Sequence, residues 1–264
     1  MIAIVGVTVL NSCEPSADPS TQEESSISDT IQYSYHETAK YVGDCESLVG
    51  ACAGFSYKEL HLLGGLDPMI ADKMEITLDS ILFGSISEGS KTKESYLDEY
   101  LSDYQYVLDE FPDYSTPWEV DLSETVNYNR SGILGVTLVS YLFTGGAHSN
   151  NTVQYVTFDL RSGNLIHTDE LFQPTDRMRV ADLAATILKD SVLSRDSTDW
   201  EIISSQWGNE GFSVPDDFRL NKDGIFLLFN RNEVTSGAEE EYLILLPWQE
   251  IDGWIAEPYK NLSL

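Results

Sequence analysis

Between Asp67 and Phe111 the apolar side chains recur every three or four residues, in two successive runs; on either side of that segment they alternate instead. A chain patterned in this way has to place two helices beside sheet rather than thread helices regularly between parallel strands. The first helix is predicted from Asp67-Pro68, an acceptor for the cap and a proline for the first turn. Ile70, Met74, Leu78 and Ile81 form its inner face, and Gly84 is its expected stop. The second spans Lys93 to Phe111, with Tyr96, Leu97, Tyr100, Leu101, Tyr104, Leu108 and Phe111 as a tyrosine-rich stripe. Thr30–Tyr35 and Ala53–Leu63 precede the helices as strands. Trp118–Tyr128, Ile133–Phe143 and Thr152–Leu160 follow them. A third helix is expected near Asp176–Val192, with Met178, Leu183, Ile187 and Leu188 inward. Strands return at Phe218–Asn221, Gly224–Phe229 and Tyr242–Leu246. The fold class expected is α+β, with antiparallel sheets and about three packed helices.

Charge narrows the partners. Across 264 residues, 44 acids face 15 bases, a formal net charge of −29. Such a surface repels phosphate backbones, so nucleic acid is not an expected partner; cationic proteins or peptides are. The acids are also segregated. Glu94, Asp98, Glu99, Asp103, Asp109, Glu110, Asp113, Glu119, Asp121 and Glu124 fall in a stretch without Lys or Arg. The field of such a stretch reaches about 8–10 Å at physiological salt. It reads as a solvated face first and as a docking surface for a basic partner second.

The amino terminus is read as an export signal. Met1 to Leu10 is apolar but too short to span a bilayer, and Leu10-Asn11-Ser12-Cys13 resembles a bacterial lipobox, with Cys13 the residue to be acylated. The competing reading is a buried terminal strand. Residues 14–29 are polar and rich in Pro and Ser, the composition of a tether. The expected division is therefore a 1–13 signal, a 14–29 tether, a 30–115 α+β subdomain and a 116–264 α+β subdomain. The expected location is the bacterial cell envelope, as an outer-membrane or periplasmic lipoprotein held by lipid alone. With Cys13 lipidated, Cys45 and Cys52 remain, and in an exported chain they favour a disulfide over a zinc site.

Three further segments carry a resemblance. Thr144-Gly145-Gly146-Ala147-His148-Ser149 is followed by Phe158-Asp159-Leu160-Arg161-Ser162-Gly163-Asn164-Leu165-Ile166 and then Asp169-Glu170-Leu171-Phe172. In this order they resemble the extracellular domain shared by RsiV-type lysozyme-sensing anti-sigma factors, PdaC-type peptidoglycan deacetylases and Bacteroidetes lipoproteins. The similarity runs from about Thr30 to Ile255. It implies a receptor-like domain whose loops meet a partner, a basic protein such as lysozyme or a cell-wall glycan. The positions it points to are Gly145, Gly146, His148, Glu233 and Gly237. Relatives carry a Pro-Tyr element late in the chain where this one has Asn232-Glu233-Val234-Thr235-Ser236-Gly237. Gly145 and Gly146 are read as turn residues free to take positive φ. His148 is read as satisfying turn carbonyls or facing a ligand.

Catalysis finds little footing. His36, His61, His148 and His167 show no paired zinc-binding spacing, and no nucleophile elbow or phosphate loop is present. Pairs of carboxylates occur by chance among so many acids and identify nothing. The expectation is a non-enzymatic binding module without cofactor or metal. Two ligand classes stand against each other, with an accessory protein to a cell-wall hydrolase or deacetylase as a further alternative. Exposed aromatics ringed by carboxylates on a flat face favour a cationic protein. A cleft gathering Trp118, Trp200, Trp207, Trp248 or Trp254 favours a glycan.

Overall fold

The computed structural model describes residues 30–45, 51–86, 92–195, 200–205, 212–230, 234 and 241–262. Cys13, Glu233, Gly237 and Trp207, together with the signal and tether, lie outside the described residues.

The chain is α+β. A six-stranded sheet in the order β1-β2-β3-β4-β5-β6 is joined by a three-stranded sheet, β7-β8-β9. β1 (Gln32–Gly43) and β2 (Cys52–Gly64) pair antiparallel from Gln32↔Gly64 to Gly43↔Cys52. A Cys45–Cys52 disulfide, with Cα atoms 4.8 Å apart, closes the turn between them. α1 (Pro68–Ile86) and α2 (Lys93–Glu110) follow. The Asp67 side chain accepts from the Met69 N–H at 2.8 Å, and Thr92 caps α2 through the Ser95 N–H.

β3 (Trp118–Arg130) then returns beside β2, and here the expectation of purely antiparallel sheets is corrected. β2 and β3 run parallel, Ala53↔Trp118 to Lys58↔Ser123. A parallel neighbour needs a long crossover, and the α1–α2 pair supplies it. This pairing also places the boundary expected at 115/116 inside one sheet. β4 (Ile133–Phe143) is joined to β3 by Ser131-Gly132, both at positive φ (57° and 73°), the geometry of a two-residue hairpin turn. β5 (Asn150–Asp159) and the short β6 (Asn164–Leu165) complete the sheet. Asp159 shapes the turn between them by accepting the Arg161 N–H on its side chain, and Gly163 closes it at φ 64°.

Past this sheet come α3 (Thr168–Leu171), α4 (Arg177–Arg195), α5 (Trp200–Ser205), β7 (Phe218–Leu220), β8 (Gly224–Phe229), β9 (Tyr242–Pro247) and α6 (Trp248–Ile251). The turn from β7 to β8 is held by the Asn221 side chain, which accepts from the N–H groups of Asp223 and Gly224. In α4 the buried residues are Val180, Ala184, Leu188 and Val192, with Leu183 and Ile187 partly covered; Met178 is 79% exposed. The expected stripe was therefore rotated. Val180, Ala184, Leu188 and Val192, four residues apart, form the face that packs on the β7–β9 sheet.

Two hydrophobic cores result. One lies between α1, α2 and the large sheet, around Phe55, Tyr57, Leu78, Phe83, Tyr104, Leu122 and Leu134. The other joins α4 to the small sheet, around Leu188, Ile225, Leu227, Ile244, Leu246 and Ile255. No helix among the described residues is long and apolar enough to cross a membrane.

Candidate functional site

The loop between β4 and β5 carries three of the residues picked out by sequence. Gly145 takes φ 84°, a backbone conformation that L side chains rarely adopt, and a Cβ there would also stand 2.5 Å from the Tyr114 hydroxyl. Gly146 does not adopt positive φ, contrary to expectation, and a Cβ on it would meet only the His148 carbonyl at 3.9 Å. The backbone reverses at Gly145 alone, so Gly146 keeps an ordinary conformation. His148 is exposed in this loop.

The second feature is the outer face of α2. Tyr96, Tyr100 and Tyr104 turn inward. The Tyr100 hydroxyl donates to the Gly54 carbonyl at 3.1 Å and the Tyr104 hydroxyl to the Thr116 carbonyl at 3.2 Å. With that stripe committed to the sheet, helical spacing turns Glu94, Asp98, Glu99, Asp103, Asp109 and Glu110 to solvent. Tyr106 is 65% exposed among them, three residues after Asp103 and three and four before Asp109 and Glu110. Phe111 is 61% exposed at the helix end. The result is an apolar ring and its neighbour set in carboxylates.

The third feature is one that sequence reading missed. β2 parts from β3 after Lys58↔Ser123, so the next β2 amides lose their strand partners. Carboxylates replace them: Glu124 of β3 accepts the Leu60 N–H at 2.8 Å and Glu75 of α1 accepts the Leu62 N–H at 2.7 Å. Glu124 is 1% exposed, and burial pushes its carboxyl up to about 7. The Tyr57 hydroxyl touches Glu124 at 2.8 Å and Asp79 at 2.9 Å. Burial also raises Asp79, and raises the Tyr57 phenol far above its ordinary value. Lys93 binds Glu59 at 2.6 Å at the rim. The one signal in the sequence was Glu124 standing at an inward position of an alternating strand, between Leu122 and Val126.

The fourth feature is a seam around His167. Its Nδ1 lies 2.8 Å from Asp216, whose other oxygen accepts the Thr168 N–H at 2.9 Å. The hydrogen bond to Asp216 raises the His167 pKa. Burial pushes the Asp216 carboxyl up, but its bonds from His167 and Thr168 more than offset this and hold it low. The adjacent Asp217 ties β5 to β8, accepting from the Tyr155 N–H and the Asn230 amide. Clefts of about 310 Å³ and 520 Å³ share His167 and Asp216. The smaller is walled by Gln154, Tyr155 and Thr157, the larger by Phe172, Arg177, Phe212 and Val214.

Among the described residues, no tryptophan lines either cleft. Trp118 packs on Tyr100 and Tyr104, and Trp248 is buried with its indole N–H on the Asn221 carbonyl. Among the described residues, no three His, Cys, Asp or Glu side chains converge as a metal ion would require.

No protein-family model matches the chain, and no curated protein sequence matches it. Solved structures do share its fold. A DUF3298 family member from Bacteroides fragilis NCTC 9343 superposes with a TM-score of 0.66 at 16% identity, over 88% of this chain and 96% of that one. A DUF3298 family protein from Pseudomonas aeruginosa PAO1 gives 0.63 at 14% identity, over 88% and 97%. At such identities the likeness is one of fold.

Proposed function

We infer that the chain is a non-catalytic cell-envelope module, lipid-anchored at Cys13, which captures a cationic protein on the outer face of α2. The single observation behind this is Tyr106 and Phe111 standing exposed among Asp103, Asp109 and Glu110. Interfaces of this kind use an aromatic anchor for affinity and a charged surround for steering. A base-free run from Glu94 to Asn129 within a chain of net charge −29 suits a small, very basic partner such as lysozyme. The fold shared with DUF3298 proteins and the motif series from Thr144 to Phe172 support kinship with the RsiV-type and PdaC-type domains.

The test is calorimetric titration with lysozyme at low and high salt. Binding that weakens steeply with salt and falls at least about tenfold in Tyr106→Ala supports the reading. No heat at low salt, or affinity unchanged by Tyr106→Ala together with Asp109→Lys, overturns it.

The paired clefts at His167 favour a second reading, in which a peptidoglycan or glycan fragment lies across the His167–Asp216 ridge. Muropeptide titration followed by amide chemical shifts distinguishes the two. Shifts at Thr157, His167 and Ser213 would favour the glycan, and shifts along α2 or none at all would remove it.

A further inference from the structure

The contacts of Tyr57 impose a proton count. A phenol carries one hydrogen, yet the Tyr57 oxygen lies 2.9 Å from Asp79 Oδ1 and 2.8 Å from Glu124 Oε1. If both carboxylates were ionised, that hydrogen would serve one of them. The other would face a phenol lone pair at hydrogen-bond distance with no donor between, in a cluster where Tyr57 and Glu124 are buried and Asp79 half-buried. An extra proton on either carboxyl completes the chain, one carboxyl donating to the phenol oxygen while the phenol donates to the other.

We propose that Asp79, Tyr57 and Glu124 form one buried proton-binding site, which takes up a single shared proton and fastens α1 to β2 while it is occupied. The surroundings suit that ligand. Glu59 on β2 and Glu94 on α2 add negative charge that favours the proton, while Lys93 on α2 opposes it from the rim. His61 lies 3.8 Å from Glu59 and 3.9 Å from Glu75, further out and 40% exposed, and has no bond to the triad. The second oxygen of Glu124 is already engaged with Leu60 N–H, which keeps Glu124 in place. When the proton leaves, the contact that must lengthen is the one between Asp79 and Tyr57, and α1 is the element that shifts.

The sign of the pH response follows. A carboxyl that holds its proton more tightly when folded than when unfolded leaves stability unaffected below its unfolded value. As pH rises above that value the folded state is progressively penalised, up to the folded value, beyond which the loss is complete. The chain should therefore be more stable in mild acid than at pH 8, and Glu124→Gln should flatten that difference, because an amide keeps an acceptor for Leu60 and bears no charge.

Carboxyl-carbon NMR of the full chain from about pH 4 to pH 9 tests the site. Shared occupancy predicts that the Asp79 and Glu124 signals inflect together, and that Asp79→Asn moves the Glu124 inflection down by about one pH unit or more. In parallel, the wild-type Tm should fall by at least about 3 °C between mild acid and pH 8, a fall at least halved in Glu124→Gln, where the His167–Asp216 seam still contributes. Separate inflections in the wild type overturn the proposal, and that measurement needs no variant to fold. So does a Glu124 midpoint that Asp79→Asn leaves unchanged, which would make Glu124 a solitary buried acid.

Discussion

The two cores solve the same problem with different chemistry. Under α1 and α2 the large sheet buries tyrosines, three of whose hydroxyls reach acceptors: Tyr57 on carboxylates, Tyr100 on Gly54 and Tyr104 on Thr116. Around α4 the small sheet buries more aliphatic side chains, Val180, Leu188, Ile225, Leu227, Ile244 and Leu246, together with Phe172, Phe218, Phe229, Tyr242 and Trp248. Its hydrogen-bonded polar groups include the Trp248 indole on the Asn221 carbonyl and the His167–Asp216 seam. An aliphatic core is stabilised by contact area alone and tolerates sliding. A hydrogen-bonded core also fixes which residue sits opposite which, since a displaced phenol leaves a buried donor unpaired. The first half needs that register most, because there β2 changes partner partway along its length.

The contrast can be broken or sharpened by substitution. The largest effect is expected from Leu246→Ala, fully buried in the aliphatic half, at roughly 2–5 kcal/mol in denaturant unfolding. A loss below 1 kcal/mol would mean that this core is loosely packed. Next, Cys45→Ser with Cys52→Ser should cost about 2–3 kcal/mol, because the bridge closes the short loop at the turn end of the β1–β2 hairpin. Tyr100→Phe removes one hydroxyl and leaves the Gly54 carbonyl without its phenol partner. About 1 kcal/mol is expected, and a neutral outcome would deny the polar half its distinguishing role. The smallest effect belongs to the seam. His167 titrates above its ordinary value, so its bond to Asp216 stabilises fully below the unfolded pKa and is lost as pH rises through the folded one. Both partners are more than half exposed, so His167→Gln should cost below about 1 kcal/mol at pH 6 and nothing by pH 9. Thermal melts at the two pH values would show it.

Periodicity made the elements legible because helices and strands impose different repeats on the same side chains. Both helices flanking residue 90 and the strands from Trp118 to Asp159 could be placed from that alone. The parallel β2–β3 pairing was not legible, since nothing in an alternating strand states the direction of its neighbour. Nor did Met178 betray its exposure, because a long apolar side chain at the first turn of a helix fits either face. Of the site, the acidic outer face of α2 could be read directly. Glu124, Asp79 and Tyr57 could not: they are distant along the chain, and only the point at which β2 leaves β3 creates the orphaned amide that draws a carboxylate inward. His167 and Asp216 meet for a similar reason, through a loop whose course no repeat encodes.

The parallel seam between β2 and β3 also governs how the molecule can assemble. β1 with β2, and β3 with β4 and β5, are joined by short turns and can zip up locally, but Ala53 meets Trp118 only after the whole of α1 and α2 has been laid down between them. Closing so long a loop is entropically costly and comes late. Folding should therefore pass through a stage with two preformed sheet fragments awaiting one docking step, and lesions in the α1–α2 connection should slow refolding more than they weaken the finished fold.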